Sequence, residues 1–202
     1  MGRPLERQMI KHEMTRWMGL GVATAAAAMC LAQGSPGAGP HAGGQSVADA
    51  IRSAASADLA FVAAGLLKNS NSGDLAALLQ YPGDDVMVVT LTGAKVRQAI
   101  ERSVSGYPSE SPSFLQLSGA NVTFRPSSPA NSRVVSISVN GAALSDSATY
   151  SVAMPSSLAL GGSGYFKIWD RPDVTRELKT TVEAVVRGKT VSPSAPRYTV
   201  SD

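Results

Sequence analysis

From residue 46 onward, apolar and polar positions alternate between two periods, and the switches mark the elements. Ser46 to Asp49 has the form of a helix N-cap with an acid three positions on, and Val47, Ala50, Ile51 and Ala54 share one face. This predicts a helix ending near Ala55. Asp58 to Ala63 is a short apolar run of buried-strand type, and Gly65 to Gly73 reads as a loop. Asp74 to Leu79 predicts a short helix that Pro82 stops. Val86 to Leu91 is the clearest strand. Thr92 then caps a helix with Val96, Ile100 and Val104 inward and Lys95, Arg97, Glu101 and Arg102 outward, Arg97 pairing with Glu101 one turn on.

Tyr107 to Ser113 is a Pro/Ser loop. Strands are expected at Phe114–Leu117, Asn121–Phe124 and Val134–Val139, and Asn140-Gly141 is a strong hairpin signal. A strand over Tyr150–Ala153 leads into Gly161, Gly162 and Gly164, followed by Tyr165 and Phe166. Read alone, this stretch fits either a binding loop or a helix C-cap followed by a turn with core aromatics. Asp173–Val186 predicts an amphipathic helix with Val174, Leu178, Val182 and Val185 inward, ended by Gly188, and Tyr198–Val200 a last edge strand. Mixed helices and hairpins define an α+β (mixed α/β) class: one domain, a largely antiparallel sheet and flanking helices.

The N-terminus departs from this pattern. Arg3, Arg7, Lys11 and Arg16 precede an uncharged run from Trp17 to Ala32, the layout of a secretory signal, and its length falls short of a spanning helix. Residues 1–32 are therefore expected to be a signal peptide cleaved after Ala32, with lipidation of Cys30, the single cysteine, as the alternative. Either route makes the protein exported, periplasmic or extracellular, with no membrane span in the mature chain. Residues 33–45 are mostly Gly, Pro, Ala and Ser and are expected to form a flexible tether before a domain over 46–200. Of 18 Lys/Arg and 15 Asp/Glu, four and two lie in the first 32 residues, leaving 14 and 13. That near balance, without a basic stripe, argues against nucleic acid as a partner. With 44% hydrophobic residues, the 202-residue chain has ample material for a core.

Three motifs in order resemble the C-terminal domain of the 5′-nucleotidase family. They are Leu91-Thr92-Gly93 before a helix, Ser113-Phe114-Leu115-Gln116-Leu117-Ser118-Gly119, and Gly161-Gly162-Ser163-Gly164-Tyr165. In that family an N-terminal dinuclear metallophosphatase domain does the chemistry and the C-terminal domain supplies nucleotide specificity. The resemblance implies base stacking on Phe114, with Ser157 where the family has a second ring and Ser163 where it has an Asp. On the phosphate side, Ala63–Lys68 matches Asn-x-Gly-Gly-(Ile/Val)-Arg, so Lys68 replaces the family's Arg, and Asp85 stands where Pro-Phe-x-Asn has its Asn. Gly161 and Gly162 would let backbone approach a ligand. The metal-bearing domain has no counterpart in residues 1–45, and the two histidines, His12 and His41, fall in the signal and the tether, so the folded part is expected to lack an imidazole. The implied reading is a domain without catalytic residues or a cofactor of its own. It would take a nucleoside or nucleotide ligand, or a metallophosphatase chain as partner, unless the fold survives only as an interaction module.

Overall fold

The computed structural model describes residues 34–192 and 194–202. The expected signal peptide, with Cys30, lies outside the described residues. In chain order the elements are α1 (Ala42–Ala55), β1 (Leu59–Ala63), β2 (Asp85–Thr92), α2 (Gly93–Val104), β3 (Leu115–Ser118), β4 (Ala120–Phe124) and β5 (Val134–Val139). There follow β6 (Ala142–Ala143), β7 (Thr149–Pro155), α3 (Ser156–Ala159), β8 (Val174–Thr181), α4 (Val182–Val186) and β9 (Tyr198–Val200). The class is the expected mixed α/β one, but the strands form two sheets, ordered β3-β1-β7-β2-β8 and β6-β5-β4-β9. Each sheet is antiparallel except for one parallel pairing, β1 with β7 and β4 with β9.

Every residue of β1 is buried, as are Val86 to Val89 of β2, so the middle of the larger sheet is covered on both faces while its edge strand β8 is not. Helix α1 lies across β1, β3 and β7, while α2 packs on β2 and reaches β5 of the smaller sheet. Tyr198 of β9 ties the sheets together: its ring packs on Phe114 at 4.9 Å and its hydroxyl donates to the Leu115 carbonyl at 2.9 Å. Burial pushes that phenol well above its ordinary pKa, so it stays a neutral donor. Asn140 and Gly141, at φ 49° and 86°, make the predicted tight turn between β5 and β6. Among the described residues no helix is long and apolar enough to cross a membrane.

Further expectations are corrected. Much of the supposed tether is part of the fold: α1 starts at Ala42 with His41 as N-cap, and Gly43, Gly44 and Gln45 are buried. The cause is a long-range anchor. Gln116 accepts from the His41 N–H at 2.9 Å and donates to the carbonyls of Pro36 and Gly39, both at 2.8 Å. The folded part therefore does hold an imidazole. His41 is 3% exposed, and its Nδ1 accepts from the Gly44 N–H at 3.1 Å.

Residues 173–186 are not one helix. Val174–Thr181 forms β8, an edge strand on β2, and only Val182–Val186 is helical, capped by the Thr181 hydroxyl. Thr175, Thr180 and Thr181 favour the strand, and pairing with β2 overrides the helical spacing of the valines. Glu101 does not face solvent or pair with Arg97. It is buried and accepts from the N–H groups of Arg133 (3.0 Å) and Val134 (2.9 Å), while Arg97 pairs with Asp146 at 3.1 Å. A carboxylate that answers two backbone donors belongs inside, whatever the helical wheel suggests.

Candidate functional site

β1 and β7 run parallel and end together, at Ala63 and Pro155, while β2 and β3 start at that same end because they run the other way. β8 also finishes there, since Thr181 faces Asp85. Five segments consequently meet at one end of the larger sheet: 64–68, 80–84, 111–114, 156–165 and 182–183. Backbone bonds lock them together, with Ala64 N–H donating to the Phe114 carbonyl (2.8 Å), Gly65 N–H to Pro112 (2.9 Å) and Gln80 N–H to Leu66 (2.9 Å). The Tyr165 hydroxyl crosses to the Ser113 carbonyl at 2.6 Å. Its ring stacks on Trp169 at 4.6 Å, and burial together with the nearby Tyr198 raises its pKa.

The segments singled out by sequence therefore converge, but several of their side chains are otherwise engaged. Phe114 is 2% exposed and offers no face to a ligand. Ser157 donates its hydroxyl to the Asp84 carboxylate at 2.8 Å. Gly161 sits at φ 87°, and a Cβ there would come 2.8 Å from the Cα of Phe166. One on Gly162 would come 2.3 Å from the Ser157 carbonyl oxygen. Both glycines thus permit the loop to fold on itself, which accounts for them without any ligand. Tyr165 is core, as the C-cap reading expects, whereas Phe166 is 62% exposed. Ser163 adopts φ 53° and its carbonyl accepts from Arg102 Nη2 at 3.2 Å. Lys68 is exposed on a loop and Asp85 is exposed at the first position of β2, and no hydrogen bond or ion pair among the described residues ties either to the glycine loop.

Sequence reasoning missed Arg102. Its guanidinium lies under the glycine loop, 5.3 Å from the Tyr165 ring centroid and 2.0 Å from where a Cβ on Gly164 would be. No motif marks it, because α2 and the loop are 61 residues apart. Also missed was a cavity of about 330 Å³ beside the 64–68 segment, lined in part by Pro36, Gly65, Leu67, Asn69, Glu110 and Ser111. One wall is the N-terminal segment that Gln116 holds. Its lining contains one carboxylate and no basic side chain. Among the described residues no group of three or more His, Cys, Asp or Glu is placed to hold a metal ion.

Two mixed sheets, with five segments gathered at one end of the larger, define an α/β domain of the kind that presents a site on its loops. The chain belongs to the family described as 5′-nucleotidase, C-terminal domain, whose profile matches residues 21–170. It is 34% identical over 156 residues to a 5′-nucleotidase-related protein of Glossina morsitans morsitans, covering 70% of this chain and 28% of that one. It is 33% identical over 103 residues to the snake venom 5′-nucleotidase of Naja atra, covering 47% and 19%. Among solved structures, a 5′-nucleotidase precursor of Thermus thermophilus shares the fold at a TM-score of 0.64 and 24% identity, over 78% of this chain and 34% of that one. The chain thus spans about a third or less of each of these proteins.

Proposed function

We propose that this domain binds a nucleoside-like molecule weakly at the loop end of its larger sheet and does not hydrolyse phosphoesters by itself. The observation that carries this is the 330 Å³ cavity at the end where the motif segments meet. Its size is at the lower bound for small-molecule sites. Glu110 as its one charged wall residue favours an uncharged ligand over a phosphorylated one. Phe114 is inward and Ser157 replaces the second ring, so stacking adds little and the affinity is expected near millimolar. An NMR titration with adenosine, AMP and a pyrimidine nucleoside tests this. Adenosine should move the amides of Gly65, Asn69 and Ser111 more than AMP does, and no movement at millimolar concentrations overturns the reading.

The absence of hydrolysis rests on the side-chain inventory: of two histidines in the chain, His41 is committed to capping α1. AMP turnover by this chain with added divalent metal, abolished by a chelator, would refute it. Export rests on the basic and apolar layout of residues 1–32, and a native N-terminus near Gln33, or a lipid on Cys30, is the mass-spectrometric expectation.

A second reading is that the same end docks protein, for instance a metallophosphatase half on another chain. It is favoured by Tyr81, Leu160 and Phe166, exposed at 53, 43 and 62% on or beside the converging segments. Co-purification with such a chain, lost on Phe166→Ser, would select it.

A further inference from the structure

The other end of the larger sheet, where β1 starts and β3 ends, carries a depression of about 240 Å³ between Arg52, Gly119, Asn121, Asn140, Gly141 and Arg197. Arg52, in the last turn of α1, donates from Nε to the Asp58 carbonyl at 2.9 Å and from Nη2 to Asn140 Oδ1 at 2.6 Å. Both acceptors are uncharged, and none of the ion pairs among the described residues includes Arg52. Its guanidinium is held in place, and among the described residues Nη1 makes no hydrogen bond and no carboxylate is within ion-pair distance. Arg197 lines the same depression and is paired with Asp49 at 2.8 Å.

The walls suit an acceptor-rich guest. Asn140 gives its amide oxygen to Arg52, so its amide nitrogen remains a free donor, and Asn121 is an exposed second amide. No carboxylate lines the depression. Two acids close by are already engaged: Asp58 accepts from the Ser151 N–H (2.9 Å) and hydroxyl (2.7 Å), and Asp49 accepts from Ser118 and from Arg197, so that Arg197 is the compensated cation of the wall and Arg52 the one without an ion pair. Gly119 and Gly141 keep the walls free of side chains. At φ 82° a Cβ on Gly119 would come 2.8 Å from Arg52 Nε and 2.3 Å from the Asp58 carbonyl oxygen, so this position holds the arginine's seat open.

We propose that this depression is an oxyanion site for a phosphate-type group, with Arg52 as its charged contact and the amides of Asn121 and Asn140 as flanking donors. Fixed guanidinium N–H groups beside amide donors match the geometry and charge of a tetrahedral oxyanion. The site lies at the opposite end of the sheet from the cavity discussed above and does not depend on nucleoside binding there.

The test is a ¹H–¹⁵N titration with potassium phosphate at constant ionic strength, chloride serving as the balancing and control anion. Phosphate should shift the amides of Gly119, Asn121 and Gly141 and leave Gly65 and Ser111 in place. Asn121→Asp puts a carboxylate into the depression from an exposed strand position, so it should weaken binding at least tenfold without disturbing the fold. Arg52→Gln should do the same, and because Arg52 also anchors Asp58 and Asn140, Asn121→Asp is the decisive variant. AMP and adenosine tell free phosphate from a phosphomonoester: shifts at these amides with AMP but not adenosine extend the site to esters, and shifts with inorganic phosphate alone restrict it to the free ion. Equal shifts with chloride, no shift with phosphate, or an Asn121→Asp variant that binds as the wild type does would each overturn the proposal.

Discussion

Replacing Gln116 by leucine should detach the N-terminal segment from the domain. The side chain is fully buried and makes three hydrogen bonds to backbone: it accepts from His41 and donates to Pro36 and Gly39. Leucine is close to it in volume, so the cavity contribution is small and the lost bonds dominate. At about 1 kcal/mol net for each, the loss is about 3 kcal/mol, or roughly 6–12 °C in Tm for a domain of this size. Gln116→Glu should do more harm, because it keeps the acceptor for His41 but sets a carboxylate oxygen against two carbonyls. The assay pairs thermal unfolding with amide exchange at Ser111, whose N–H donates to the Gly37 carbonyl at 3.0 Å, and at Gly44, which caps onto His41. Both amides should lose protection in the leucine variant. A shift of less than about 2 °C with both amides still protected would show that residues 35–41 stay docked without Gln116, and Gln116 would not be their anchor.

Phe114→Ala should destabilise by about 3–5 kcal/mol in denaturant unfolding, since it empties a site packed on Tyr198; a loss below about 1 kcal/mol would mean the ring is not core. Gly164→Ala should cost at least about 1–2 kcal/mol for the left-handed backbone, and more through collision with Arg102. Combining it with Arg102→Ala should therefore be less than additive, and strict additivity would refute the contact. Burial lowers the His41 pKa, so its neutral form is the folded one, with Nδ1 accepting from Gly44. The stabilisation is then complete above the unfolded value of 6.5 and is lost as pH falls from there through the folded pKa. His41→Asn keeps a capping oxygen and should remove that part of the acid sensitivity, which unfolding curves between pH 7 and pH 4 would reveal.

Where one residue type has a single local solution, the chain was readable. Asn140-Gly141 can turn a hairpin with positive φ at both positions, and Thr92 before a helical run caps it, its hydroxyl accepting from Lys95 N–H at 3.3 Å. Where the outcome depends on partners far along the chain, it was not. Nothing between Ser35 and Gln45 favours order, and the partner that imposes it, Gln116, lies 75 residues from His41. Glu101 looks like one more charge on a polar helix face until β5 brings two N–H groups to it. Val174, Leu178 and Val182 fit a helix by spacing, yet the first two fall in a strand because β2 offers an open edge. The candidate site divides the same way. Local motifs name the loops that converge, while the direction each side chain takes is set by Tyr198, Asp84 and Arg102 from other segments.

That division bears on how the motif residues should be weighed. Gly161 is required by Phe166, Gly162 by the Ser157 carbonyl and Gly164 by Arg102, all three through contacts within the domain. Gln116 of the second motif holds the N-terminal segment, and Phe114 holds Tyr198 and with it the smaller sheet. These positions would be retained in a chain that binds nothing, because losing any of them costs stability first. The positions free to report on ligand are those with no structural duty: Lys68 and Asp85 at the loop end, and the walls of the cavity at Asn69 and Glu110. The motif resemblance would put Lys68 in place of an Arg and Asp85 in place of an Asn, and the cavity's one charged wall, Glu110, is acidic. On the proposed reading these three side chains act against an anionic ligand, two by carrying negative charge and one by offering a point charge in place of a bidentate donor. Packing within the domain is sufficient to account for the motif glycines, Phe114 and Gln116, and an uncharged guest is what the proposed function expects at the acidic cavity wall.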